Sequence, residues 1–166
     1  CPEAEYYNFN KEGGNGYTKI PGDGGWYYES QFQSGMPDLN LDCTALRTEI
    51  EKIAKFWYDK GIRGYRLDAA LHYYEGNNDK STEALKWFYD YVESLDSSNY
   101  VVAEVWSDAS ALDKFYESGV DSLFNFPYGT SEGYIVLTCN RAGNGSGGGK
   151  FANFVVNRYV EVKAID

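Results

Sequence analysis

Ile62-Arg63-Gly64-Tyr65-Arg66-Leu67 is a short extended stretch caught between two helical patterns, and its neighbours decide the fold. Upstream, Leu46, Ile50, Ile53, Ala54 and Trp57 recur at the spacing of one helix face. Asp42 or Thr44 is placed to cap that helix, and Gly61 ends it after Lys60. Downstream, Leu85, Phe88, Tyr89, Val92 and Leu95 predict a second helix, with Ser81 as its cap. Tyr100-Val101-Val102-Ala103-Glu104-Val105 reads as a buried strand. A shorter helix carries Leu112, Phe115 and Tyr116 after Asp108 and stops at Gly119, and Ser122-Leu123-Phe124-Asn125-Phe126 reads as a third strand. Phe151, Phe154, Val155, Tyr159 and Val162 predict a last helix. Strict alternation with short connections implies right-handed crossovers and a parallel sheet. Two architectures fit: an open doubly wound sheet, or part of a closed (β/α)8 barrel. A whole barrel takes about 250 residues, so the barrel reading makes this chain of 166 residues a fragment.

Composition narrows the partners. With 15 basic against 25 acidic residues the net charge is −10, the wrong sign for nucleic acid or an anionic membrane. No run approaches the roughly 20 apolar residues that span a bilayer. The chain opens at Cys1, with neither Met nor a signal-peptide pattern, and reads as cut from a longer polypeptide. Cys1, Cys43 and Cys139 show no C-x-x-C spacing and read as free thiols. His72 is the one histidine, so a multi-histidine metal centre is excluded within the chain. Residues 1–40 are rich in Gly, Tyr and Asn, with turn signals at Gly13-Gly14-Asn15-Gly16 and Pro21-Gly22-Asp23-Gly24-Gly25. They predict an irregular region tied down by aromatics, distinct from an α/β part over 41–166. Gly143-Asn144-Gly145-Ser146-Gly147-Gly148 matches the dinucleotide pattern G-x-G-x-x-G literally. In a run nearly all Gly and Ser the match is weak, and it reads as a plain loop. The phosphate-loop pattern fails, because Asn144 takes its first Gly position and Phe151 follows Lys150.

Function in a parallel α/β sheet gathers at the C-terminal strand ends. Those ends carry Arg66 and Asp68 on the first strand and Glu104 on the second. Neighbouring strands lie about 4.8 Å apart, so two inward carboxyls there can reach the separation of about 5 Å that a retaining glycosidase uses. Arg66 shares a strand face with Asp68 and should keep it ionised, as a nucleophile requires. Glu104 lies among Val102, Ala103, Val105 and Trp106, where desolvation would favour the protonated form that a general acid needs. The competing readings are a structural Arg66–Asp68 ion pair, an Asp68 that caps the next helix, and a partly exposed strand-end Glu104.

Gly61-Ile62-Arg63-Gly64-Tyr65-Arg66-Leu67-Asp68-Ala69-Ala70-Leu71-His72 resembles the fourth-strand motif of glycoside hydrolase family 13, the α-amylase family. Ala103-Glu104-Val105-Trp106 resembles its fifth-strand motif, and Met36-Pro37-Asp38-Leu39-Asn40 its short motif late in the loop domain inserted after the third barrel strand. The three stand in family order, and the likeness is best from Trp26 to Tyr128. The resemblance implies a (β/α)8 barrel that cleaves α-glucosidic bonds with retention, acting on an α-glucan oligosaccharide or polysaccharide. On matching positions Asp68 would be the nucleophile, Glu104 the acid/base and Arg66 the nucleophile's partner. His72 would line a sugar subsite. Trp106 and Tyr73 head a set of sugar platforms that also takes in Trp26, Tyr27, Tyr28 and Tyr74. No cofactor is called for. Asp38 falls where many α-amylases bind a structural calcium, against a plain role in bracing the loop. Leu71 departs from the Lys that many members place beside the histidine, which loses a sugar-contacting charge.

The family's earlier Asp-x-x-x-x-Asn-His motif and its later Asn-His-Asp motif do not occur in the chain. The expectation is therefore the middle of a barrel: the end of the inserted loop domain over 1–40, then strands four to six with their helices over 41–166. Such a piece would need the missing strands of its parent or self-association, and alone should hydrolyse little. A non-catalytic scaffold or binding relative is the alternative. Many bacterial relatives are secreted or surface-bound, although free cysteines suit the cytoplasm as well.

Overall fold

The computed structural model describes residues 2–129. The glycine-rich segment at 143–148 and the helix predicted over 151–162 lie outside the described residues, as do Cys1 and Cys139. Cys43 is a free thiol.

The parallel sheet forms as expected. Its elements are α1 (Thr44–Asp59), β4 (Gly64–Leu67), α2 (Asn78–Leu95), β5 (Tyr100–Ala103), α3 (Ala109–Tyr116), β6 (Ser122–Leu123) and a last turn of helix, α4 (Phe126–Gly129). The strands pair in the order β4-β5-β6, both pairs parallel. Gly64↔Tyr100 through Leu67↔Ala103 set the first register, and Val102↔Ser122 and Ala103↔Leu123 the second. Three strands do not close a barrel. Alternation assigns the faces: Val101, Ala103, Val105 and Leu123 are buried under the helices, packed with Leu85, Phe88, Val92 and Phe115. Each of the Val, Leu and Phe side chains among them contributes about 1.5–3 kcal/mol by leaving water. Tyr65 joins them and its hydroxyl donates to the Ala54 carbonyl at 2.8 Å, which ties β4 to α1.

Several local expectations are corrected. Residues 1–40 are not simply irregular: β1 (Phe9–Asn10), β2 (Tyr17–Lys19) and β3 (Tyr27–Glu29) form an antiparallel sheet in the order β1-β3-β2. Strands of two or three residues are too short to show an alternating period. On α1, Leu46 and Ala54 are buried, but Ile53 is 59% and Trp57 50% exposed. The α1 cap position is Cys43 without a side-chain bond, while Asp42 accepts the Tyr74 hydroxyl at 2.6 Å. Asn77, not Ser81, caps α2 by accepting the Lys80 N–H. Ser81 lies inside that helix, fully buried, and accepts the Tyr74 N–H at 3.0 Å. The third strand stops at Leu123, and Phe126 begins α4.

Asp108 caps α3 as its position predicts, accepting from the N–H groups of Ser110 and Ala111. The Ser110 hydroxyl and those N–H groups hold its carboxyl below the usual carboxylate range. A lowered folded pKa means that the cap stabilises above the unfolded value and fades as pH falls through the folded one. Asp108→Ala is expected to cost about 1 kcal/mol in urea unfolding at pH 7. Asp108→Asn should retain most of that stability while removing the acid-side dependence.

Candidate functional site

β4 and β5 finish level. After the last pair, Leu67↔Ala103, the Glu104 N–H donates to the Leu67 carbonyl at 2.8 Å, and the Ala70 N–H donates to the Glu104 carbonyl at 2.8 Å. Asp68 and Glu104 therefore leave adjacent strand ends side by side, on the face away from the core. Arg66, two residues before Asp68, shares that face. One guanidinium nitrogen of Arg66 pairs with Asp68 Oδ1 and the other with Glu104 Oε2. Sequence reading paired Arg66 with Asp68; the structure shows that pair and adds Glu104 to the same cation. What separates the carboxylates is exposure, with 76% of the Asp68 side chain open to solvent against 18% for Glu104. Asp68 caps nothing: the 3-10 turn Ala70–His72 has no side-chain cap.

Between Asp68 and that turn, Ala69 adopts φ 46° and ψ 39°. It is the one non-glycine residue with positive φ among those described. Left-handed backbone costs a Cβ-bearing residue about 1–2 kcal/mol, and such strain concentrates where a side chain must be aimed.

Asp68, His72 and Tyr73 line one cavity of about 400 Å³ with Phe32, Met36 and Leu67. His72 Nδ1 lies 2.6 Å from Glu75 Oε2, and the ring meets Phe32 edge-on at 5.2 Å. Burial, reinforced by the Asp68 charge, pushes the Tyr73 hydroxyl well above its ordinary value and keeps it a neutral donor. Trp106 is not in that cavity. It is 64% exposed beyond Glu104 and stacks on Phe126 at 4.5 Å. Of the other aromatic candidates, Lys11 lies over Trp26, the Tyr27 ring lies against Gly13, and the Tyr28 hydroxyl donates to the Ser34 carbonyl. Tyr74 is committed to Asp42, and burial together with that bond pushes its hydroxyl up to about 12.

Asp38 also lines the cavity, but its Oδ2 accepts the Gln31 N–H at 2.6 Å. Among the described residues no group of three His, Cys, Asp or Glu side chains could hold a metal ion. The one bond shown for the Asp38 side chain thus runs to the backbone of its own loop.

Sequence reading missed Ala69, Glu75 and Phe124. The Arg66 guanidinium carbon stands 5.4 Å from the centroid of the Phe124 ring. Phe124 lies two residues beyond Ser122, on the face that strand alternation gives Arg66 and Glu104, so its direction was legible once the strand was placed.

The family model described as the catalytic domain of alpha amylase matches residues 6–135. The chain belongs to the α-amylase family. Over 130 residues it is 42% identical to Alpha-amylase 3 of Dictyoglomus thermophilum, covering 76% of this chain and 25% of that protein. Over 91 residues it is 34% identical to Oligo-1,6-glucosidase of Bacillus sp. strain F5, covering 55% of this chain and 16% of that one. The solved structure of Eubacterium rectale Amy13B superposes with a TM-score of 0.90 at 41% identity, over 99% of this chain and 32% of that one. This α-amylase-family chain thus spans between a sixth and a third of the length of these relatives.

The strain at Ala69 is directly testable. Ala69→Gly is expected to leave the urea midpoint unchanged or raised. Ala69→Val should lower stability by at least about 1 kcal/mol, because a β-branched residue tolerates positive φ worst.

Proposed function

We propose that the chain carries the nucleophile and the acid/base of a retaining glycosidase that cleaves α-glucosidic bonds in starch or maltodextrin. The observation that carries the reading is the single Arg66 guanidinium joined to Asp68 and Glu104 at the level ends of β4 and β5. Two carboxylates so placed suit displacement at an anomeric carbon. The names of the relatives, an alpha-amylase and an oligo-1,6-glucosidase, support an α-glucan as substrate.

Exposed Asp68 attacks C1, the C1–O bond to the leaving sugar breaks, and Glu104 delivers its proton to the departing oxygen. The product is a β-glycosyl ester on Asp68. Glu104, now a carboxylate, takes a proton from water, whose oxygen attacks C1 and releases Asp68. Arg66 steadies the charge on whichever acid is ionised. His72 and neutral Tyr73 present ring faces and donors to the sugar beside Asp68, and Trp106 offers an exposed ring beyond Glu104. In this reading β4, β5 and β6 are strands four to six of a (β/α)8 barrel, and the antiparallel sheet belongs to the loop domain before them. The 166 residues alone are expected to turn over little, because a substrate held on one wall lacks the positioning that catalysis needs.

The test is hydrolysis of p-nitrophenyl α-maltosides and soluble starch by the protein at full length. Asp68→Asn is expected to abolish turnover. Glu104→Gln should lose roughly 10²–10⁴-fold on starch but far less on substrates whose leaving group needs no proton. Added azide should restore Asp68→Gly with inversion, giving a β-glycosyl azide, and Glu104→Ala with retention, giving the α-azide. An inert full-length protein that still binds maltodextrin would overturn the catalytic reading in favour of a binding relative.

A further inference from the structure

Arg66 reaches across three strands. Its own strand supplies Asp68, β5 supplies Glu104, and Phe124, just past β6, places its ring 5.4 Å from the guanidinium carbon. The parallel registers dictate this meeting. Asp68, Glu104 and Phe124 each follow the last paired residue of their strands, so the three stand in one row on the face away from the core. The Phe124 N–H continues the ladder by donating to the Ala103 carbonyl at 3.1 Å, which fixes where its ring begins. Each terminal nitrogen of the guanidinium holds a carboxylate, and its flat face is what an aromatic ring can hold. Phe124 is supported in turn. It meets Phe126 edge-on at 6.2 Å, and Phe126 stacks on Trp106 at 4.5 Å with planes 18° apart.

We propose that Phe124 is a positioning residue for the reaction, its ring face holding the Arg66 guanidinium in the plane that serves Asp68 and Glu104 together. The inference rests on the catalytic reading of those two acids. Phe124 acts through Arg66, the charged group its ring meets. Without the ring, the cation keeps its carboxylates but can tilt out of their common plane. The loss then falls on kcat rather than on substrate affinity.

The experiment replaces Phe124 in the full-length protein with phenylalanines carrying one to four ring fluorines, alongside Phe124→Leu, assayed on p-nitrophenyl α-maltoside. Fluorination drains the negative ring face while keeping its shape, so folding and packing are held nearly constant. The expected result is a stepwise fall in kcat along the series, reaching roughly tenfold for the most fluorinated ring, with KM nearly unchanged. A kcat that stays flat across the series, or a loss confined to KM, would overturn the proposal. Asp68→Asn in the same assay separates the two levels: if it remains active the catalytic reading falls, whereas an inactive Asp68→Asn beside a flat series removes Phe124 alone.

Discussion

The register of β4 against β5 is the constraint on which the site depends. Parallel pairing gives every residue of one strand a fixed partner level, and Leu67↔Ala103 closes the ladder on both strands at once. A shift by one residue would turn Asp68 or Glu104 towards the helices and expose apolar side chains in exchange. The core enforces the register, because Val101 and Ala103 on β5, and Val105 just beyond it, are fully buried against the helices. Burial of small apolar groups on one face thus sets the geometry of two acids on the other.

Two carboxylates beside one another repel, and in a chain of net charge −10 the surroundings do little to relieve them. Arg66 meets the cost locally, with one nitrogen to each acid. The choice of arginine follows from its planar fork, which a lysine ammonium cannot match at two fixed directions. With one cation shared by both acids, what distinguishes them is solvent access: 76% of the Asp68 side chain is open to solvent against 18% for Glu104.

The sequence displayed the elements whose signals are periodic. Helices α1, α2 and α3 appeared from apolar spacing, β4 and β5 from short extended runs, and Asp68 and Glu104 from their places at strand ends. What it hid depended on partners distant in sequence. Ile53 and Trp57 fit the apolar face of α1, yet the neighbours among the described residues cover only Leu46, Ile50 and Ala54. Ser81 looked like a cap because serine favours that role, but the helix starts a turn earlier at Asn77 and leaves it inside to bind Tyr74. The antiparallel sheet of β1, β2 and β3 escaped because its pairing joins residues far apart through glycine turns. The double use of Arg66 escaped as well: a two-residue spacing revealed Asp68, whereas Glu104 arrives from 38 residues away.

Ala69 shows how the site and the fold meet in one backbone. After β4 the chain must leave the sheet at once, since the Ala70 N–H is drawn to the Glu104 carbonyl and Ala70 itself is fully buried. The intervening residue absorbs the turn in the left-handed region. Glycine would adopt that conformation without strain, but it would also loosen the peptide that carries Asp68. Alanine holds the bend more stiffly, with the smallest side chain that still restricts the backbone. The strain is offset by the hydrogen bond to β5 and by the buried methyl of Ala70, so the same contacts that seat the chain on the core also hold Asp68 level with Glu104.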